Sequence, residues 1–262
     1  MKNLAYIFLI IISLGSFSAC TNPEEKAANY IKTGNSLLEQ GKLNKAALEY
    51  RNALQVKANL PDALFGLAQI HERKQEWDKL YSVLNKIQEL QPNHIEARIK
   101  LAQLLLDSNQ LDKALLDARE ILALVPGDAR GHSLMAAVLF RLGSIDKAKV
   151  EVSNALSADP DNPEAKLVLA RIFISQENFN EAHEVLDKAI ARDPGNVSMY
   201  LIKIEAFEKA EDWKGVESVF VSLINKFPDN IEYQVSLARL YNENKEINKA
   251  EKNTPPNGVE EP

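Results

Sequence analysis

The chain has 262 residues, 45% of them hydrophobic and 26% charged, with a formal net charge of −6. That balance is ordinary for a soluble protein, and the acidic excess argues against a nucleic-acid partner, whose phosphates need clustered Lys and Arg. One cysteine, Cys20, and four scattered histidines, His71, His94, His132 and His183, leave no disulfide framework and no His/Cys metal spacing, so no cofactor is expected.

Residues 1–19 differ in kind from the rest of the chain. Lys2 supplies a positive start, and Leu4 to Leu14 form an almost unbroken apolar run. The run is shorter than the about 20 residues that a membrane span needs. It ends in Phe17-Ser18-Ala19-Cys20 and reads as an export signal. The Ser-Ala-Cys ending resembles the lipobox of bacterial lipoproteins, with Phe17 where leucine is usual. The resemblance implies cleavage before Cys20, lipidation of its thiol and acylation of the new amino terminus, enough acyl chains for stable anchoring. Thr21 follows the cysteine, and by the sorting rule of enteric bacteria the absence of aspartate there implies the outer membrane. The expected location is the bacterial cell envelope, lipid-anchored and facing the periplasm, with residues 20–26 as a short tether.

From Ala27 onward the chain is periodic. Pro92, Pro126, Pro160, Pro194 and Pro228 recur every 34 residues. Counting units from Ala27, the eighth place holds Gly34, Ala68, Ala102, Ala136, Ala170, Ile204 and Ala238. The seventeenth is apolar throughout: Leu43, Trp77, Leu111, Ile145, Phe179, Trp213 and Ile247. Such columns predict pairs of short helices, with small residues where backbones approach and large ones beside them. Asp128, Asn162, Asn196 and Asn230, each two residues past the repeated proline, are expected to cap the next helix, and Pro163 suits the first helical place.

These columns resemble the tetratricopeptide repeat (TPR), a helix–turn–helix of the same length. Gly34, Leu37, Gly41, Ala46, Tyr50 and Ala53 fall at the family's signature places in the first unit. The turn glycine survives only at Gly41 and Gly143. The resemblance implies an all-α, right-handed α-solenoid of about six and a half units: 27–60, 61–94, 95–128, 129–162, 163–196, 197–230 and a partial 231–252. Residues 253–262 carry turn formers and charges without apolar period and are expected to be disordered.

No catalytic grouping emerges. Gly34 and Gly41-Lys42 lack phosphate-loop spacing, and Leu43 stands in the Ser/Thr place. His71 takes a place that is apolar or aromatic in the other units, so its expected role is structural. In the resembled family, certain places of each first helix face a binding groove. Carried over, they nominate Phe65, Ile99, Leu106, Phe140, Leu167 and Ile174 as apolar contacts, beside Arg130, Arg141 and Arg171. A groove centre of this kind suits an acidic, partly apolar segment of a protein partner. The family's carboxylate clamp is absent, since Ile31 replaces the lysine that would stand before Asn35.

The sequence thus predicts a non-catalytic interaction scaffold, with Cys20 as its lipidation site and no small-molecule substrate. Its size, anchor and array resemble envelope TPR lipoproteins that assist secretion, pilus or exopolysaccharide-export machines. The alternative is a periplasmic chaperone or carrier that holds export substrates in the groove.

Overall fold

The computed structural model describes residues 22–244. Cys20, the segment read as an export signal and residues 245–262 lie outside them. Thirteen α-helices and no strand occur in the described residues. The chain divides into two compact bodies between Gln91 and Pro92.

The first body holds α1 (Pro23–Glu39), α2 (Leu43–Val56), α3 (Pro61–Arg73) and α4 (Trp77–Leu90). Helix α1 packs on α2 and α3, and α3 on α4. The core that α1, α2 and α3 share is centred on Tyr50, which is fully buried among Leu38, Ala46, Ala53, Ala63, Leu67 and Ile70. Two glycines make room for its ring. A Cβ at Gly34 would meet Tyr50 Cε1 at 2.7 Å, and one at Gly66 would meet Tyr50 Cζ at 2.3 Å.

The second body holds α5 (Ile95–Asp107), α6 (Leu111–Leu124), α7 (Ala129–Arg141), α8 (Ile145–Ala158) and α9 (Pro163–Ser175), followed by α10 (Phe179–Arg192), α11 (Val197–Lys209), α12 (Trp213–Lys226) and α13 (Ile231–Glu243). The first helices of its hairpins start at 95, 129, 163, 197 and 231, and the second helices at 111, 145, 179 and 213, each a step of 34 residues. Every first helix from α5 to α11 packs on its own second helix, and α5, α7, α9 and α11 also stack in succession.

The turn inside each hairpin has one geometry. Gly41, Gln75, Asn109, Gly143, Glu177 and Glu211 all adopt positive φ, between 56° and 74°. At each, the positive-φ residue donates its N–H to the carbonyl three residues back, and the next residue donates to the carbonyl five back, as in Gly143 to Phe140 and Ser144 to Leu139, both at 2.9 Å. This Schellman closure satisfies the last carbonyls of the first helix. Four of the six turns close in this way without glycine, so the tertiary packing imposes a backbone shape that those side chains disfavour.

Capping follows the sequence in part. Asp128, Asn162 and Asn230 accept backbone N–H bonds at the starts of α7, α9 and α13. Asn196 does not: its side chain makes no capping bond, and its backbone carbonyl takes the Met199 N–H at 3.2 Å. His94 caps α5 instead, its Nδ1 accepting from Ala97 N at 3.2 Å, a role that the histidine pattern did not reveal.

Candidate interaction surfaces

In the second body the predicted contact residues lie on α5, α7 and α9, which stack side by side. Leu106, Phe140 and Leu167 are half-buried, while Arg130, Arg141 and Arg171 keep surface in water. Ile99 and Ile174 are different: only 4% and 3% exposed, they belong to core clusters with Ala118 and Ile121, and with Leu186 and Met199. The structure gives these two isoleucines to the core, so the apolar surface narrows to Leu106, Phe140 and Leu167.

The three arginines are not equivalent. Arg130 donates to both oxygens of Glu96 at 2.8 Å and to Asp128 Oδ2 at 3.0 Å. Burial pushes the Asp128 carboxyl up, but bonds from the Arg130 side chain and the Gly131 N–H outweigh it and hold the group below the usual carboxylate range. Arg130 is correspondingly held more firmly protonated by its bonds to Asp128 and Glu96. Its charge is already matched within the chain.

Arg141 donates to Asn109 Oδ1 at 2.9 Å. It and Arg171 both act on Asp107, whose carboxyl is pushed up by burial and pulled back by the two arginines. Two cations over one carboxylate leave a surplus positive charge beside Leu106 and Phe140. Asp107 is a member of this group that the sequence pattern did not single out, although it occupies in its unit the place that Arg141 occupies in the next.

A second set of polar contacts ties helices together. Arg98 is buried, its Nη1 donating to Asp117 Oδ1 at 2.8 Å and also pairing with Glu120, and its Nη2 donating to the Pro92 carbonyl at 2.7 Å. One unit on, His132 repeats the pattern with Glu151 at 2.6 Å and the Pro126 carbonyl at 2.9 Å. The two pairs stand at the same two places of consecutive units, which is the signal that reading the polar residues in register would have found. These contacts fix the hairpins and offer no reactive group.

In the first body, Phe65 is half-buried and lines a cleft of about 390 Å³ between α1 and α3. Ile31, Asn35, Leu38, Gln69 and Arg73 share its wall.

Known proteins resemble this architecture. One family model, described as tetratricopeptide repeat, matches residues 81–138 and 139–203, and another, described as TPR repeat, matches residues 34–75. A solved structure of pilF from Pseudomonas aeruginosa is 20% identical, with a TM-score of 0.61, covering 83% of this chain and 99% of its own. PilW, described as a widely conserved type IV pilus biogenesis factor, is 16% identical with a TM-score of 0.66, covering 80% of this chain and 98% of its own. YrrB, described as a TPR protein with an unusual peptide-binding site, is 22% identical with a TM-score of 0.52, over 66% of this chain and 89% of its own. Comparison with curated protein sequences finds no match.

Proposed function

The chain belongs to the tetratricopeptide repeat family, and from that premise we propose that it is a non-catalytic scaffold, lipid-anchored in the bacterial cell envelope, that binds a protein partner during assembly of a larger machine. A type IV pilus is the machine favoured among the envelope systems, because PilW, a pilus biogenesis factor, shares the fold over most of both chains. Attachment is assigned to a lipidated Cys20, which fatty-acid labelling of intact cells would reveal.

The observation that carries the binding reading is the group on α5, α7 and α9. Leu106, Phe140 and Leu167 keep part of their apolar surface in water beside Arg141 and Arg171, whose charge Asp107 only half offsets. Aromatic and arginine side chains in such settings carry a large share of interface energy. An acidic, partly apolar segment matches both features, its carboxylates meeting the arginines and steering encounter.

The test is affinity capture from envelope extracts with the variant Phe140→Ala, Arg141→Glu, Arg171→Glu. Partner capture is expected to fall at least tenfold while helicity stays that of the wild type. Undiminished capture by a folded triple variant would remove this surface from the proposal.

A further inference from the structure

Helix α1 begins at Pro23 with Asn22 as its cap, so the tether expected to run to Lys26 shrinks to Thr21. Two residues of chain span at most about 7 Å. An anchor at Cys20 therefore holds one side of the first body against the lipid headgroups, and the side chains of that body decide which side.

Helices α2 and α4 carry the relevant chemistry. On α2, Asn44, Lys45, Leu48 and Arg51 are exposed within two turns, Leu48 at 55%. On α4, Trp77 and Tyr81 stand one turn apart and keep 51% and 37% of their surface in water. Lys74 joins the two sets: three residues before Trp77, it donates its Nζ to Asn44 Oδ1 at 2.6 Å. Asn44 in turn lies one turn before Leu48 on the same side of α2. The two helices thus present aliphatic and aromatic side chains among cations.

Those cations remain uncompensated. Lys42 donates to Gln40 Oε1 at 2.7 Å and Lys74 to Asn44, both neutral amides, while Lys45 and Arg51 have no carboxylate partner among the described residues. Against them stand Glu49 and Asp78, since Glu76 is taken up by His71 and Lys79. A positive surplus remains here although the whole chain carries −6. Tryptophan, tyrosine and basic residues are the set that settles where lipid meets water, with the rings at headgroup level and the cations on anionic lipid. Trp213 is the contrast. It takes the same place in its own unit and is 44% exposed, yet Glu211, Asp212 and Glu217 share its surroundings against Lys214 alone.

We propose that the α2 and α4 face of the first body docks on an anionic phospholipid surface, with Trp77 and Tyr81 entering the headgroup layer and Lys45, Arg51 and Lys74 meeting lipid phosphates. The proposal rests on the reading of the chain as membrane-anchored, and it gives the first body an orientation that the anchor alone does not. Because the anchor already holds the body at the surface, docking is intramolecular and weak individual contacts suffice.

The full chain, reconstituted through its own amino-terminal attachment into vesicles of phosphatidylethanolamine and phosphatidylglycerol, reports the docking through its two tryptophans. Trp213→Phe leaves Trp77 as the sole emitter. With a spin-labelled lipid whose quencher sits near the headgroups, its emission is expected to fall at least twofold, and the wild type should lose only the share that Trp77 supplies. Adding Lys45→Glu and Arg51→Glu to Trp213→Phe should abolish the quenching, as should replacing phosphatidylglycerol with phosphatidylcholine. Both reversed side chains are exposed, so the melting curve followed by circular dichroism should not move. Equal quenching of the two tryptophans, none at Trp77, or quenching that survives charge reversal or the loss of phosphatidylglycerol overturns the docking, while a chain that stays on the vesicles keeps the anchor. A chain that leaves the vesicles removes anchor and docking together.

Discussion

Four side chains hold a backbone shape normally left to glycine. Gln75, Asn109, Glu177 and Glu211 close hairpin turns at φ of 56° to 59°, where Gly41 and Gly143 close theirs at 70° and 74°. The left-handed shape costs a residue with a Cβ roughly 1–2 kcal/mol. Glycine regains part of that and loses about 0.4–1 kcal/mol through the freer unfolded chain. Glu177→Gly is therefore expected to stabilise the protein by up to about 1 kcal/mol, measured as a rise in the urea midpoint. Gly143→Ala should lower it by a similar amount. The sequence made the six turns legible by their spacing. It did not disclose that four of them are strained, because φ is imposed by the packing of two helices and not by the residue at the turn.

Between helices, the instructive contact is α10 against α11. His183 on α10 stacks on Phe207 of α11 with ring centroids 3.8 Å apart, and its Nδ1 is buried with no hydrogen-bond partner among the described residues. Burial pushes its pKa below the ordinary 6.5, and Lys203 adds to the shift. The unfolded chain therefore takes up the proton first as pH falls. Stability is full above the unfolded value of about 6.5 and is lost as pH drops through the lowered folded value. The thermal midpoint should fall between about pH 7 and pH 5, and His183→Phe should flatten that dependence. Equal pH sensitivity in both proteins would show that the histidine is not responsible. From sequence alone His183 was one of four scattered histidines. Only the pairing of α10 with α11 reveals that it faces an aromatic ring.

Over the whole chain, repetition made the fold readable and left the surface partly hidden. Helix order and the 34-residue step follow from columns of small and large residues, because hairpins stacked on their neighbours all meet the same demands. Exposure does not repeat so faithfully. Ile99 and Ile174 occupy places that the family resemblance assigns to a binding face, yet neighbouring residues enclose both. Arg130, nominated for the same face, is paired with Glu96, its counterpart one unit earlier. The proposed anchor rests on the chain's first segment. Lipidation of Cys20 is expected to appear as radiolabelled fatty acid on the wild type and none on Cys20→Ser, with the variant released into the soluble periplasm. Equal release of both, with neither labelled, would remove the anchor from the proposal.

The uniform unit boundaries have a consequence for how such a chain can change length. Excising residues 129–162 would splice Asp128 directly to Pro163, setting an established capping carboxylate before a proline already suited to the first helical position. Every remaining turn keeps its own closure, and the splice removes one hairpin as a block. One misfit is a methyl: Ala165 would arrive where Gly131 stood, and a Cβ there would meet Ile121 Cγ2 at 2.8 Å. Overpacking of this kind costs about 1–3 kcal/mol, so the shortened chain should remain fully helical by circular dichroism and melt only modestly earlier. A gene encoding such a protein can gain or shed whole hairpins by unequal recombination, with the damage confined to the few side chains that meet across the new joint.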